Sequence, residues 1–298
     1  MQFPIADIRA QFPALSTKDR DRPRIYFDAP GGTQVCSAAI DRMCGHLRRG
    51  TANDGGAFQS SKDTQELIDA AHAAMADFLG GHPDEIAFGA NMTSLTLSVS
   101  RALAQEWDAG DELVVTRLDH DANIAPWLLV ARDRGMTVRW LDFDPGTGRL
   151  ELGALPHLLG PRTRLVAVGG ASNALGTLND VAEVCRIVRL HSKALVFVDA
   201  VQRSPMSSQM CKRWAATCSY ARLTNFLALT REFCGHNVHL WSASTRTKSG
   251  QRPMSRPQPS WRLELSHLKL KQGCSGRSNI WSGCQDGWAN PTARVGIG

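Results

Sequence analysis

Short polar segments that follow apolar runs carry the side chains most able to bind a ligand. The sharpest candidate is Asp199, which ends the apolar run "ALVFV". A carboxylate at the edge of a hydrophobic core needs a partner such as a cationic ring nitrogen, an arginine or a metal ion. Comparable positions are held by Asn91, Thr93 and Ser94 in "GANMTS", His120 in "RLDHDAN", Asn173 in "GGASNALGT" and Gln202 in "DAVQ".

Several of these segments allow more than one interpretation. Asn91, Thr93 and Ser94 precede a helix-like run, and a helix N-terminus suits a phosphate as well as an ordinary N-cap. His120 could be a base, a ring-stacking partner or a satisfied loop histidine. The run "GGASNALG" lacks the GxGxxG spacing, so it does not predict a dinucleotide site. Taken singly, these segments do not select a reaction.

The elements that would position these side chains alternate between strand-like and helix-like segments up to Gln202. The strand-like runs are "EIAFG", "ELVVT", "TVRWLDF", "RLVAVGG" and "ALVFVDA". Because they are nearly continuous in apolar residues, they predict an α/β fold with a mainly parallel sheet covered by helices on both faces. Ligands in such folds bind beyond the carboxyl ends of the strands, where the polar segments lie.

Bulk properties point to a globular protein. The chain has 298 residues and is 43% hydrophobic, and it lacks an apolar run of the roughly 18 residues that a membrane helix needs. Its first residues show neither the basic nor the apolar region of a signal peptide, so we expect a cytoplasmic location. The eight cysteines have no metal-ligand spacing and are expected to be free thiols, and no metal site is predicted.

Charge divides the chain near Gln202. The formal net charge is +6, yet residues 1–202 hold 20 Lys and Arg against 25 Asp and Glu. The remaining residues, 203–298, hold 14 Lys and Arg against 3 acidic residues. That tail also has five of the eight cysteines and five of the eight tryptophans. We therefore expect one domain at 1–202, including the N-terminal segment 1–35, and a basic, poorly ordered tail at 203–298.

Five motifs in fixed order resemble the class V aminotransferase family of pyridoxal-phosphate enzymes, within it the cysteine desulfurase-like branch. They are "YFDAPGGTQV", "GANMTSLT", "RLDHDANIAPW", "ASNALGT" and "VFVDAVQ". The resemblance implies a three-layer α/β/α large domain, here truncated after the Asp199 strand and followed by an irregular or disordered tail. It also implies pyridoxal 5′-phosphate as cofactor, an amino acid as substrate and a homodimer.

The same resemblance implies a role for each candidate residue. Thr93 and Ser94 would lie at the cofactor phosphate, and His120 would stack on the pyridine ring. Asn173 and Gln202 would approach the phenolic oxygen of the ring. Asp199 would pair with the pyridinium nitrogen and keep it protonated, so that the ring can accept the charge of a carbanion.

The family also requires a Schiff-base lysine about two dozen residues after the aspartate. At that distance the chain reads "SYARLTNFLALTREF", and no lysine occurs between Lys212 and Lys248. Lys212 comes too early, and Lys193 precedes the strand. We therefore expect little or no turnover of an amino acid by this chain, and we assign no catalytic residue.

A shift of reading frame explains the missing lysine. When the third base of each codon is read with the first two bases of the next, the segment "RLTNFLALTREF" permits Pro-Tyr-Lys-Phe-Phe-Gly-Pro-His-Ala-Gly-Ile. This sequence closely resembles the family's lysine loop. We therefore expect a frameshift near Gln202 or Arg203, with residues 203–298 translated out of frame.

Two alternatives to an enzyme by descent stay open at this stage. The chain could be a non-catalytic remnant that binds the cofactor weakly or does not fold. The basic tail could instead bind nucleic acid through its lysines and arginines. Its charges are scattered without a helical stripe or a recognised motif, so nucleic acid is not the expected partner.

Overall fold

A computed structural model describes residues 4–28, 31–203, 218–221 and 226–229. All of these residues belong to one compact unit, which extends from residue 1 to residue 240. The helices are α1 (Ile5–Ala10), α2 (Ser37–Arg49), α3 (Gln59–Leu79), α4 (Met92–Leu103), α5 (Ala125–Arg134), α6 (Leu155–Leu158) and α7 (Val181–His191). The strands are β1 (Lys18–Asp19), β2 (Arg22–Pro23), β3 (Ile86–Phe88), β4 (Glu112–Thr116), β5 (Thr137–Leu141), β6 (Phe143–Asp144), β7 (Arg149–Leu150), β8 (Thr163–Gly169), β9 (Leu195–Asp199), β10 (Cys218–Ala221) and β11 (Phe226–Leu229).

The main sheet has seven strands in the order β3-β11-β10-β9-β8-β4-β5. Neighbouring strands from β10 to β5 are parallel, and β11 runs antiparallel to both β10 and β3. Six strands therefore share one direction, as the alternation of strands and helices predicts. The prediction of a mainly parallel sheet is confirmed.

Helices begin and end where local chemistry requires. Asn91 caps α4 by accepting a hydrogen bond from the Ser94 N–H at 2.9 Å, and Asp180 caps α7 in the same way. α3 ends at Gly80, which has a φ of 75° and donates to the Ala76 carbonyl. A left-handed C-terminal residue favours glycine because glycine has no Cβ.

Both faces of the sheet are buried against helices. On one face, Val166, Val168, Val196 and Val198 join one hydrophobic cluster with residues of α3 and α7. On the other, Phe197 contacts the Trp127 ring of α5 at 5.0 Å between centroids. Since successive side chains of a strand point to opposite faces, this alternation produces the predicted three-layer α/β/α arrangement.

The sheet extends beyond the Asp199 strand by two four-residue strands. β10 adds to β9, and β11 fills the position between β10 and β3. The expectation of an irregular tail therefore does not hold for these eight residues. Their sequences "CSYA" and "FLAL" are apolar or aromatic enough for strands, and they pair the exposed backbone edges of β9 and β3. The rest of the predicted tail lies outside the described residues.

In the part of the chain that the structure describes, no helix combines the length and apolar character needed to span a bilayer.

Candidate functional site

The carboxyl ends of the parallel strands bring the candidate segments to one edge of the sheet. Asp199 ends β9 and stands opposite Gly169, the last residue of β8, in the strand register. The His120 segment follows β4, the other neighbour of β8. α4 follows β3 and packs against the short turn Asp121–Asn123. The topology thus gathers sites that are more than 100 residues apart along the chain.

Asp199 is a buried acid with few partners. The residue is only 9% exposed. Its Oδ1 accepts a hydrogen bond from the Val201 N–H at 2.9 Å. Among the described residues, no lysine, arginine or histidine forms an ion pair with it. Burial raises the pKa of Asp199 to about 7, and the nearby Asp119 adds to the increase. The carboxylate is therefore available for a cation.

Asp119 is the site residue that sequence reasoning missed. It lies one position before His120 and is partly buried. Asn123 donates to its Oδ2 at 2.7 Å, and the Thr116 hydroxyl accepts from its backbone N–H at 3.1 Å. Burial raises the pKa of Asp119. Hydrogen bonds with Thr116, Gly169 and Asn123 partly offset this increase. Asp119 comes three residues after the apolar strand β4, in the polar segment "RLDHDAN", and this position could have identified it.

His120 lies at the surface of the site, on the turn that follows β4. The residue is exposed, and its Nδ1 accepts a hydrogen bond from the Ala122 N–H at 3.1 Å. This contact caps the 3-10 turn Asp121–Asn123 and fixes the ring nitrogen that faces the backbone. The predicted stacking of His120 on a planar ring stays a prediction.

The start of α4 offers hydroxyl groups and helix N–H groups to an anion. Thr93 and Ser94 are exposed in its first turn. The Asn91 side chain uses the Ser94 N–H for capping. The partial positive charge of a 12-residue helix end favours a negatively charged group there.

Asn173 and Gln202 follow the adjacent strands β8 and β9, and both are partly buried. The loop after β8 is held by Asn179, whose side chain donates to the Gly169 carbonyl at 2.8 Å. Gly170 donates to the Asp199 carbonyl at 2.7 Å and ties this loop to the end of β9. Within the described residues, no hydrogen bond joins Asn173 to Gln202, so their predicted shared role stays a prediction.

The arrangement suits a planar ligand with a cationic ring and an anionic group. Asp199 supplies negative charge at the end of β9, and α4 supplies positive character after β3. Within 4–28 and 31–203 no cluster of three or more His, Cys, Asp or Glu side chains has the geometry to hold a metal ion.

Residues 25–216 match the sequence model of a known family, aminotransferase class-V. The match extends past Gln202 and ends ahead of the stretch where the lysine is expected.

Two curated relatives are identical to the chain at about a third of the aligned positions. An uncharacterized protein of Mycobacterium tuberculosis, MT3887, is 33% identical over 205 residues, which are 69% of this chain and 50% of the relative. A cysteine desulfurase of Yersinia pestis is also 33% identical over 205 residues, covering 68% of this chain and 50% of the relative. The chain thus spans about half the length of the curated relatives it matches.

Solved structures show the same fold. An apo cysteine desulfurase from Thermococcus onnurineus matches with a TM-score of 0.69 and 26% identity, covering 78% of this chain and 58% of that one. A lysine-to-alanine mutant of C-DES, with glycine covalently linked to its PLP cofactor, matches with a TM-score of 0.64 and 24% identity, covering 76% and 60%.

Proposed function

The chain belongs to the class-V aminotransferase family, and we propose on that basis that its candidate site binds pyridoxal 5′-phosphate. The proposed chemical context is that of the cysteine desulfurase-like members, with an amino acid as substrate. Residues 1–202 would form most of the cofactor-binding large domain. The 298-residue chain would bind the cofactor and turn over an amino acid slowly or not at all.

The buried carboxylate of Asp199 carries this proposal. A buried acid whose only hydrogen bond among the described residues comes from Val201 is poorly compensated. A pyridinium N–H would supply both the missing charge and a strong donor, because charge-assisted hydrogen bonds are the strongest in proteins. When bound, the cofactor supplies an electron sink for a carbanion at the substrate carbon.

The other residues would orient the ring around Asp199. The first turn of α4, with Thr93 and Ser94, would hold the phosphate. His120 would cover one ring face. Asn173 and Gln202 would direct polar side chains to the phenolic oxygen. Each of these roles comes from the resemblance, and the position of each residue at the same sheet edge supports it.

Turnover would require a lysine that this sequence does not provide in the expected stretch. No lysine occurs between Lys212 and Lys248. Lys193 precedes β9 and therefore lies toward the opposite end of the strand from Asp199. Without an amine near the ring, none of the described residues would be placed to move a proton at the substrate carbon. In the intact family member, a homodimer would complete the site.

Titration with pyridoxamine 5′-phosphate tests cofactor binding directly. This probe has no aldehyde, so it cannot couple to surface lysines. We expect saturable binding by the 298-residue chain at pH 8, and weakening by about 10- to 100-fold in Asp199→Ala, as expected for loss of a hydrogen bond to a charged group.

The matched control is Asp69→Asn, an exposed carboxylate on α3, which should bind like the unmodified chain. Equal affinity in Asp199→Ala and the unmodified chain, or no saturable binding by a chain with a folded circular dichroism spectrum, would contradict the proposal. Substantial cysteine turnover by the same preparation would contradict its catalytic part.

A further inference from the structure

A second carboxylate shares the ligand-facing edge with Asp199. Asp119 follows β4, which is separated from β9 only by β8. A Cβ built on Gly169 would lie 2.8 Å from Asp119 Oδ1. Gly169 is itself the register partner of Asp199. Because Gly169 has no side chain, the Asp119 carboxylate can lie at the strand end where Asp199 lies.

Several contacts fix the Asp119 side chain there. The Asn123 amide donates to one carboxylate oxygen at 2.7 Å, and the Thr116 hydroxyl accepts from the Asp119 backbone N–H at 3.1 Å. Asn123 is fully buried, and its Oδ1 has no hydrogen-bond partner among the described residues. An unsatisfied buried carbonyl destabilises the fold, because it has lost its hydrogen bonds to water. The turn tolerates this cost while it orients an amide N–H toward Asp119.

Charged groups near the pair are few in the described part of the chain. Arg203 lies beside Gly170, but its Nη1 donates to the Asn179 carbonyl at 3.3 Å. His120 caps its own turn through Nδ1. Tyr220 is the register partner of Asp199 on β10. Asp119 is the charged group that acts on Asp199 most directly, and it acts by repulsion.

We propose that Asp119 is a positioning residue that acts through Asp199, holding a second negative charge beside the point where a cationic ring would bind. This inference rests on the proposed function. Two neighbouring carboxyl groups resist simultaneous ionisation. A cation between them relieves that repulsion, so its binding releases a proton from the pair. Ligand affinity then falls as the pH is lowered and the pair retains its proton.

The pH dependence of pyridoxamine 5′-phosphate binding tests this role. In Asp119→Asn we expect Asp199 to ionise more easily, because the neighbouring charge is gone. The pH at which half of the affinity is lost should therefore move down by about one unit. At pH 8 the same variant should bind several-fold more weakly, because it lacks the second negative charge that we propose Asp119 holds.

The matched control is Asp121→Asn, which neutralises an exposed carboxylate two positions away. Its pH profile should superimpose on that of the unmodified chain. Protonation of the probe itself affects all variants equally and cancels in the comparison. If the midpoint of the Asp119→Asn profile lies at the same pH as that of the unmodified chain, Asp119 only stabilises the turn. That result would overturn the inference.

A cofactor-free measurement keeps the two proposals separate. Because the Asp119 charge raises the pKa of Asp199 in the free chain, Asp119→Asn should also shift the pH dependence of thermal unfolding to lower pH. If the probe binds and Asp199→Ala abolishes binding, but neither pH profile moves, only the role of Asp119 fails. If the probe does not bind at all while the unfolding profile moves, the proposed function fails, and only the electrostatic coupling between Asp119 and Asp199 stands.

Discussion

Asp199 couples the protonation of a single residue to the stability of the fold. Burial in the folded chain raises its pKa from the ordinary value of 3.8 to about 7. Between these values the folded chain holds a proton that the unfolded chain has lost. The free energy of unfolding therefore falls as the pH rises from about 4 to about 7, opposite to the behaviour of a salt-bridged carboxylate.

At the residue scale we predict that Asp199→Asn removes this loss. Since one pKa unit corresponds to ~1.4 kcal/mol, the variant should gain up to about 4 kcal/mol relative to the unmodified chain between pH 4 and pH 8. Urea unfolding at a series of pH values measures the change. Asp121→Asn should follow the unmodified chain throughout. A constant difference between Asp199→Asn and the unmodified chain at all pH values would show that Asp199 is ionised over the whole range.

α4 is the element that links helix stability to ligand binding. Its N-cap, Asn91, both satisfies the Ser94 N–H and stands next to the proposed phosphate position. The two roles have different electrostatic requirements. A cap needs an acceptor oxygen, charged or neutral, whereas a bound phosphate is repelled by a neighbouring negative charge.

At the element scale we predict that substitutions of Asn91 separate these roles. Asn91→Ala should lower the free energy of unfolding by about 1 kcal/mol. Asn91→Asp should keep the cap and the stability but weaken pyridoxamine 5′-phosphate binding several-fold by repulsion. Asn91→Ser, the neutral control, should preserve both. Stronger binding in Asn91→Asp than in Asn91→Ser would place the phosphate elsewhere.

The whole molecule joins a region that matches its family to a tail of different composition. Residues 203–298 hold 14 basic and 3 acidic residues, and the family match ends at residue 216. We propose that this tail arises from a shift of reading frame near Gln202 or Arg203. The backbone of β10 and β11 completes the sheet even so, because unpaired strand edges accept short segments of suitable β propensity.

At the molecular scale we predict a gained or lost base in the coding DNA between Val201 and Met206. Sequencing that region from the source genome measures it. In the restored frame, the codons of Thr224 and Asn225 would encode the missing lysine, and the longer product should turn over an amino acid. A coding sequence that reproduces this chain would contradict a frame error in the reported sequence. The gene would then be a decayed copy, or its product would have a non-catalytic role.

Local patterns were sufficient to predict the layers, the parallel strands and the acid at the end of β9. Apolar runs and helix periodicity are properties of neighbouring residues, so "ALVFVDA" and "RLVAVGG" could be assigned as buried strands without knowledge of the fold. The same patterns placed His120 and the α4 cap after their strands.

Tertiary structure alone decided which of these residues meet. Asp119 and Asp199 are 80 positions apart, and their proximity depends on β8 lying between β4 and β9 with Gly169 at its end. Burial is the main cause of the raised pKa of Asp199, and the added repulsion by Asp119 cannot be deduced from either segment. Strand order is likewise a long-range property, which is why the sequence predicted the strands of the main sheet up to β9 but not the pairing of β10 and β11.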